Sequence, residues 1–177
     1  MSETAPSMLL THIQELFESS FGPIGEQRML HVHAPGRSEI SGNHTDHEGG
    51  HIIAAALDVA VDGIACANGT NVVRVASEGY EPFEITLDSL DIAEEEKGTT
   101  ASLVRGMAHE IAAAGGSPAG FDLAMTCTVP SGGGLSSSAA IEAAIGRTME
   151  ALWTAPAIDP VSLAQMSQRT ENHYYGK

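Results

Sequence analysis

Two stretches carry residues whose types and spacing suit chemistry. One is Pro130-Ser131-Gly132-Gly133-Gly134-Leu135-Ser136-Ser137-Ser138-Ala139-Ala140, a run of glycines followed by hydroxyls. The other runs from Ala34 to His51 and crowds Arg37, Glu39, Asn43, His44, Asp46, His47 and Glu48 between Gly36 and the pair Gly49-Gly50. A loop without side chains lets backbone N–H groups approach phosphate oxygens closely, and hydroxyls beside it can reach a phosphate or a metal. The second stretch mixes guanidinium, amide, imidazole and carboxylate. A carboxylate there accepts two hydroxyl protons while amide and imidazole complete the ring, which suits a sugar with hydroxyls on several carbons.

Each stretch needs elements to hold it. Before the glycines, Leu123, Met125, Cys127 and Val129 alternate with Asp122, Ala124, Thr126 and Thr128, the period of a strand with one buried face. After them, Ile141, Ala144, Ile145, Met149 and Leu152 recur at helical spacing. The serines stand at the N-cap, so the first N–H groups of that helix point back at the loop, where the helix dipole favours an anion. The loop is neither a Walker A motif, since it has no lysine, nor the dinucleotide fingerprint, since the third glycine is missing. A connection that merely turns the chain and caps a helix is the plain alternative, and the serine run favours the phosphate cradle over it. For the polar stretch the alternatives are an exposed turn and a metal site at His44-x-Asp46-His47; adjacent loop side chains converge poorly on one ion.

The whole chain narrows the classes. Its 177 residues can bury a sizeable core, and 42% hydrophobic with 18% charged residues is an ordinary globular balance. A net charge of −15 argues against nucleic acid and anionic membrane as partners. A nucleotide would have to bind through local amides and a divalent cation. Cys66 and Cys127 are far apart and read as buried thiols in a reducing compartment. No basic leader region and no apolar run of spanning length is present, so a cytoplasmic chain is expected.

Along the chain, residues 1–7 read as a loose leader and Met8 to Ser19 as an amphipathic helix ending near Gly22. Met29 to His33 reads as a short strand, with His31 and His33 as plain strand residues on one face. After the polar loop, Ile52 to Leu57 and Val59 to Ala65 are two buried strands. Asn68-Gly69 predicts a hairpin into Asn71–Ala76, and Glu78–Pro82 a second into Phe83–Leu87. Asp88 to Lys97 reads as a solvated acidic connection, and Thr99 to Ala114 as a helix stopped at Gly115-Gly116. Asp159-Pro160 starts a last helix containing Leu163, Met166 and Glu171. Strands and helices in hairpin order predict an α+β fold with a mixed or antiparallel sheet packed by helices.

Both chemical stretches together resemble the galactokinases, a branch of the GHMP small-molecule kinases. Gly36-Arg37, Gly42, His44-Thr45-Asp46 and Gly49-Gly50 match the family's N-terminal signature, and Pro130 to Ala140 matches its phosphate-binding signature. Arg169 to Gly176 looks like the helix end that leads towards the family's catalytic aspartate. The resemblance implies the N-terminal lobe of the GHMP architecture over residues 1–177, like domain 2 of ribosomal protein S5. It implies phosphorylation of galactose at its C1 hydroxyl by ATP, with Mg²⁺.

Carried onto this sequence, the resemblance implies that Asp46 holds two ring hydroxyls, with His44 and Asn43 reaching the hydroxymethyl end. It puts Arg37 beside the C1 hydroxyl and the transferring phosphoryl, as a catalytic and substrate-binding residue. Gly132, Gly133, Gly134, Leu135, Ser136, Ser137 and Ser138 would cradle ATP, and Ser137 and Glu171 would hold Mg²⁺. The sequence departs from the family's pattern at Glu39, Asn43, His47 and Glu48, where asparagine, glutamate, tyrosine and asparagine are usual. Asn43 keeps a hydrogen-bonding group but not the charge. Galactose is favoured, and a C6-modified or N-acetylated galactose, or a non-catalytic sugar- and nucleotide-binding module, stays open. The family's catalytic aspartate is expected beyond Lys177, as is a C-terminal lobe, so the isolated chain is expected to be inactive.

Overall fold

The computed structural model describes residues 4–42, 50–130 and 134–176. Its elements run α1 (Thr4–Phe21), β1 (Leu30–Ser41), β2 (Ile53–Ala67), β3 (Val72–Ser77), β4 (Phe83–Thr86), α2 (Thr100–Ala113), β5 (Phe121–Cys127), α3 (Ser137–Leu152) and α4 (Pro160–Thr170). A short 3-10 turn at Glu94–Glu96 precedes α2, and a π-helical turn at Glu171–Tyr175 follows α4. The strands form one mixed sheet in the order β1-β2-β5-β3-β4, parallel only between β3 and β5. The α+β expectation holds.

The sheet is covered on both faces. Val61, Ala65, Leu123, Met125, Val73 and Val75 point towards α2 and α3, whose Val104, Met107, Ile145 and Met149 close the main core. On the other face Ile13 and Phe17 of α1 pack on Ile64, Cys66 and Ala124. Strand β5 is therefore buried on both sides, not on one as its alternation predicts. Its second face is covered by α1, which is distant in sequence. Leader residues from Thr4 onward belong to α1 rather than to a loose tail.

The expected hairpin from β2 into β3 does not form. Strand β5 lies between them, pairing Leu123 with Ala65 on one side and with Val75 on the other. Asn68 holds the widened turn: its amide donates to the Val72 carbonyl at 3.0 Å and to Asp122 Oδ1 at 2.7 Å. Arg74 closes on the same carboxylate through Nε at 2.6 Å and Nη2 at 2.5 Å. Its guanidinium lies 5.3 Å from the Phe21 ring centroid, tying α1 to the sheet. The β3–β4 hairpin forms as predicted, with Val72 opposite Thr86.

Further expectations are corrected. The two apolar runs at Ile52–Leu57 and Val59–Ala65 are one strand, β2. The first part of the polar loop, from Ala34 to Ser41, continues β1 along a sheet edge, where Pro35 costs no ladder bond. His31 and His33 both approach Asp62 Oδ1, at 3.4 and 2.8 Å. Cys66 is buried as expected, but Cys127 is exposed at the end of β5. The acidic connection is not simply solvated: Glu96 forms a bidentate pair with the buried Arg105, at 2.7 and 2.6 Å. The Asp159 cap is as expected, its carboxylate accepting from the Val161 and Ser162 N–H groups. Glu171 lies in the π-helical turn, just past the regular part of the last helix.

Candidate functional site

The glycine-serine loop is anchored from the sheet side. Thr128 continues past β5, donating its N–H to the Ala60 carbonyl at 2.9 Å and accepting the Ala60 N–H on Oγ1 at 2.9 Å. Val129 next to it is buried against Gly36 of β1. A Cβ at Gly36 would lie 3.1 Å from Val129 Cγ1 and 3.2 Å from the Leu135 carbonyl oxygen, so only glycine lets the strand and the loop touch without displacement. The register of β1 on β2 slips between Pro35 and Arg37, and the Arg37 N–H donates to the Leu135 carbonyl at 3.1 Å. The two stretches singled out in the sequence are thus joined backbone to backbone.

The start of α3 is not capped by the Ser136 side chain. Ser136 is its N-cap and adopts a left-handed conformation, φ 60° and ψ 53°, uncommon and costly for a residue with a side chain. Its hydroxyl makes no capping bond. The serine cap expected from sequence is therefore a backbone bend, and the Ser136 hydroxyl satisfies none of the first N–H groups of α3. Ser138 Oγ donates to Glu171 Oε1 at 2.5 Å, drawing the π-helical turn after α4 to the beginning of α3.

A cleft lies on each side of this first turn. The larger, about 670 Å³, is bordered by Ser137, Ser138 and Ile141 of α3, with Met125, Leu103 and Tyr80 among its apolar and aromatic walls. The smaller, about 250 Å³, lies between β1 and α3 and is bordered by Arg37, Ser136, His33, Ala139 and Arg147. The Arg37 side chain is exposed and makes no hydrogen bond or ion pair with another described residue. Arg147 is engaged by Glu150 and the Ile158 carbonyl. Arg37, Leu135, Ser136, Ser137, Ser138 and Glu171 thus gather around one helix start. Gly134 is described, with φ +71°, while Gly132, Gly133, Asn43, His44 and Asp46 lie outside the described residues.

Sequence reasoning missed the larger cleft's walls, because they come from α2, β5 and the β3–β4 hairpin, each carrying an ordinary apolar pattern. It also missed Thr128, whose position directly before Val129-Pro130 is the available signal. Among the described residues, no group of three or more His, Cys, Asp or Glu is placed to hold a metal ion. No helix of the described residues is long and apolar enough to cross a membrane.

The chain is similar to known proteins over most of its length. The family model for the GHMP kinases N terminal domain matches residues 102–177, and the galactokinase galactose-binding signature matches residues 15–66. Galactokinase from Bacillus subtilis is 32% identical over 166 residues, 93% of this chain and 42% of the relative. Galactokinase from Lactococcus lactis subsp. cremoris is 30% identical over 172 residues, 96% of this chain and 42% of the relative. The crystal structure of Lactococcus lactis galactokinase complexed with galactose superposes with a TM-score of 0.86 at 29% identity, covering 95% of this chain and 43% of that one. Methanococcus jannaschii mevalonate kinase shares the fold, with a TM-score of 0.71 at 16% identity. By both family matches, the relatives and the fold, the chain is similar to the N-terminal portion of the galactokinases, a branch of the GHMP kinases. It spans about 42% of the length of the curated relatives it matches.

Proposed function

We propose that this chain is the sugar- and nucleotide-binding lobe of a cytoplasmic kinase that transfers the γ-phosphoryl group of ATP to the C1 hydroxyl of galactose, giving galactose 1-phosphate and ADP. The observation that carries this reading is the pair of clefts meeting at the first turn of α3, with Arg37 in one and Ser137 and Ser138 in the other. Phosphoryl transfer depends on positioning and charge stabilisation more than on covalent chemistry by the protein. A donor and an acceptor lying either side of one helix N-terminus meet that need.

In this reading the base and ribose of ATP occupy the larger cleft against Met125, Leu103 and Ile141, and residues 132–138 hold the phosphates. The first N–H groups of α3 donate to phosphate oxygens, and the helix dipole favours the charge there. Arg37, which makes no hydrogen bond or ion pair with another described residue, turns its guanidinium to the transferring phosphoryl and the C1 oxygen. Asp46, His44 and Asn43 bind the sugar hydroxyls. Ser137 and Glu171 supply a hydroxyl and a carboxylate, hard oxygen donors that fit Mg²⁺, and Ser138 orients the Glu171 carboxylate through its hydrogen bond. When bound, the ion neutralises charge on the phosphates. The proton of the C1 hydroxyl passes to a general base as the phosphoryl group is transferred.

The test is to incubate ATP and galactose with a protein that joins this chain to a galactokinase C-terminal lobe, and to follow galactose 1-phosphate by phosphorus NMR. Product from galactose, lost on Arg37→Ala, supports the reading. Hydrolysis of ATP without sugar phosphate, or product from another sugar only, overturns it.

A further inference from the structure

Glu171 does not stand on a regular helix. Helix α4 ends at Thr170, and Glu171–Tyr175 wind into a π-helical turn, a wider ring that redirects the side chains following it. What holds this turn lies beneath it on α2. A Cβ on Gly106 would sit 2.6 Å from Thr170 Cγ2, 2.9 Å from Tyr174 Cγ and 3.0 Å from Thr170 Oγ1. These two residues bracket Glu171. Glycine weakens a helix interior, so its use within α2 calls for a packing reason, and this approach supplies one. Thr170 is fully buried, with its hydroxyl 3.5 Å from Met107 Sδ. Tyr174 is buried too, and its hydroxyl donates to the Leu90 carbonyl at 2.8 Å. The turn is closed by the Gly98 N–H on the Tyr175 carbonyl at 3.1 Å and the Gly176 N–H on the Glu171 carbonyl at 2.9 Å.

We propose that Gly106 is a positioning residue for Glu171: the notch it leaves in α2 seats Thr170 and Tyr174, and that seat keeps the Glu171 carboxylate against Ser138 at the start of α3. The inference rests on the reading of Glu171 as a Mg²⁺ ligand given above. A methyl group at position 106 cannot be accommodated at 2.6 Å, so the turn must ride outward and the Glu171–Ser138 contact must lengthen. Metal geometry tolerates shifts of only about 0.2 Å, which makes a small displacement measurable.

The experiment is calorimetric titration of the chain with ADP at stepped Mg²⁺ concentrations, paired with thermal melts. Gly106→Ala is expected to raise the Mg²⁺ concentration for half-maximal nucleotide binding about tenfold or more, the range for residues that orient ligands. Binding of ADP without Mg²⁺ is expected to be unchanged. Adding Thr170→Ser removes the Cγ2 that meets the new methyl and is expected to recover much of the Mg²⁺ response. Ile13→Val, in the core on the far face of the sheet, is expected to lower Tm while leaving the Mg²⁺ requirement as it is. If Gly106→Ala does not fold, Tyr174→Phe frees the turn from Leu90 and is expected to raise the requirement in the same direction. A lowered Tm with a wild-type Mg²⁺ requirement, in Gly106→Ala or in Tyr174→Phe, overturns the inference. Glu171→Gln separates the two levels. If it leaves the requirement unchanged, the metal reading fails and the inference with it. If it raises the requirement while Gly106→Ala does not, only the inference fails.

Discussion

The backbone N–H of Arg37 donates to the carbonyl of Leu135 at 3.1 Å, so the strand bearing the exposed guanidinium is bonded directly to the glycine-serine loop. This bond crosses from the first chemical stretch to the second. It fixes where a charge on β1 stands relative to the start of α3, a relation that the proposed transfer requires. Gly36 makes the bond possible by letting Val129 and Leu135 lie against the strand.

Gly36→Val should therefore damage the joint more than the fold. Its side chain would meet Val129 and Leu135 at 3.1–3.2 Å, an overpacking that costs about 1–3 kcal/mol. Urea unfolding should show a loss in that range, and calorimetry should show weakened binding of both galactose and MgADP. A variant that loses stability yet binds both ligands normally would show that the joint is structural only.

Arg105 should be among the costlier truncations away from the site. It is buried, pairs with Glu96 at 2.6 and 2.7 Å, and donates to the Ser89 carbonyl at 2.6 Å. Burial disfavours its charge, but the Glu96 hydrogen bonds outweigh this and raise its pKa. Arg105→Ala should lower stability by about 3 kcal/mol or more, since it strands Glu96 near the core. A loss below about 1 kcal/mol in urea would mean that the 88–97 connection is dispensable.

Acid should weaken the chain partly through Glu150. Burial pushes its pKa up, yet the Ile158 N–H at 2.8 Å and the Arg147 guanidinium at 2.5 Å together bring it below the ordinary glutamate value. A carboxylate whose folded pKa is depressed contributes stability that is complete above its unfolded pKa, about 4.3, and is lost as pH falls through the folded value. Melts of wild type and Glu150→Gln from pH 7 to pH 3 should therefore converge at the acid end. A gap that stays constant with pH would refute the assignment.

The two thiols should react in order. Cys127 is exposed and borders the larger cleft, while Cys66 is buried and its pKa is raised first by that burial and then by the Asp122 charge. Maleimide should label Cys127 in the native chain and Cys66 only after unfolding, as read by peptide mass spectrometry. MgADP should slow labelling of Cys127. Unprotected labelling at saturating MgADP would put the nucleotide elsewhere.

How far the sequence discloses all this depends on how local each feature is. Helices α2, α3 and α4 are legible from their apolar spacing, and the start of α4 also from its Asp159 cap, because these contacts act within one element. The two chemical stretches were legible because their residue types are unusual at close spacing. The insertion of β5 between β2 and β3 was not, since Asn68-Gly69 carries the same signal for a tight hairpin as for a widened turn held by Asp122. The double burial of β5 depends on α1, and the pairing of Glu96 with Arg105 on a helix that follows it. Gly106 reads as a blemish in a helix until Thr170 and Tyr174 arrive against it.

The measurement that bears most directly on the central claim is calorimetric titration of this chain with galactose in the presence of MgADP, with glucose as the comparison sugar and Arg37→Ala as the comparison variant. The account predicts that galactose binds, that glucose binds far more weakly, and that Arg37→Ala weakens galactose while sparing MgADP. No heat from galactose while MgADP binds normally would contradict it, because the β1 side of α3 would then not be a sugar site.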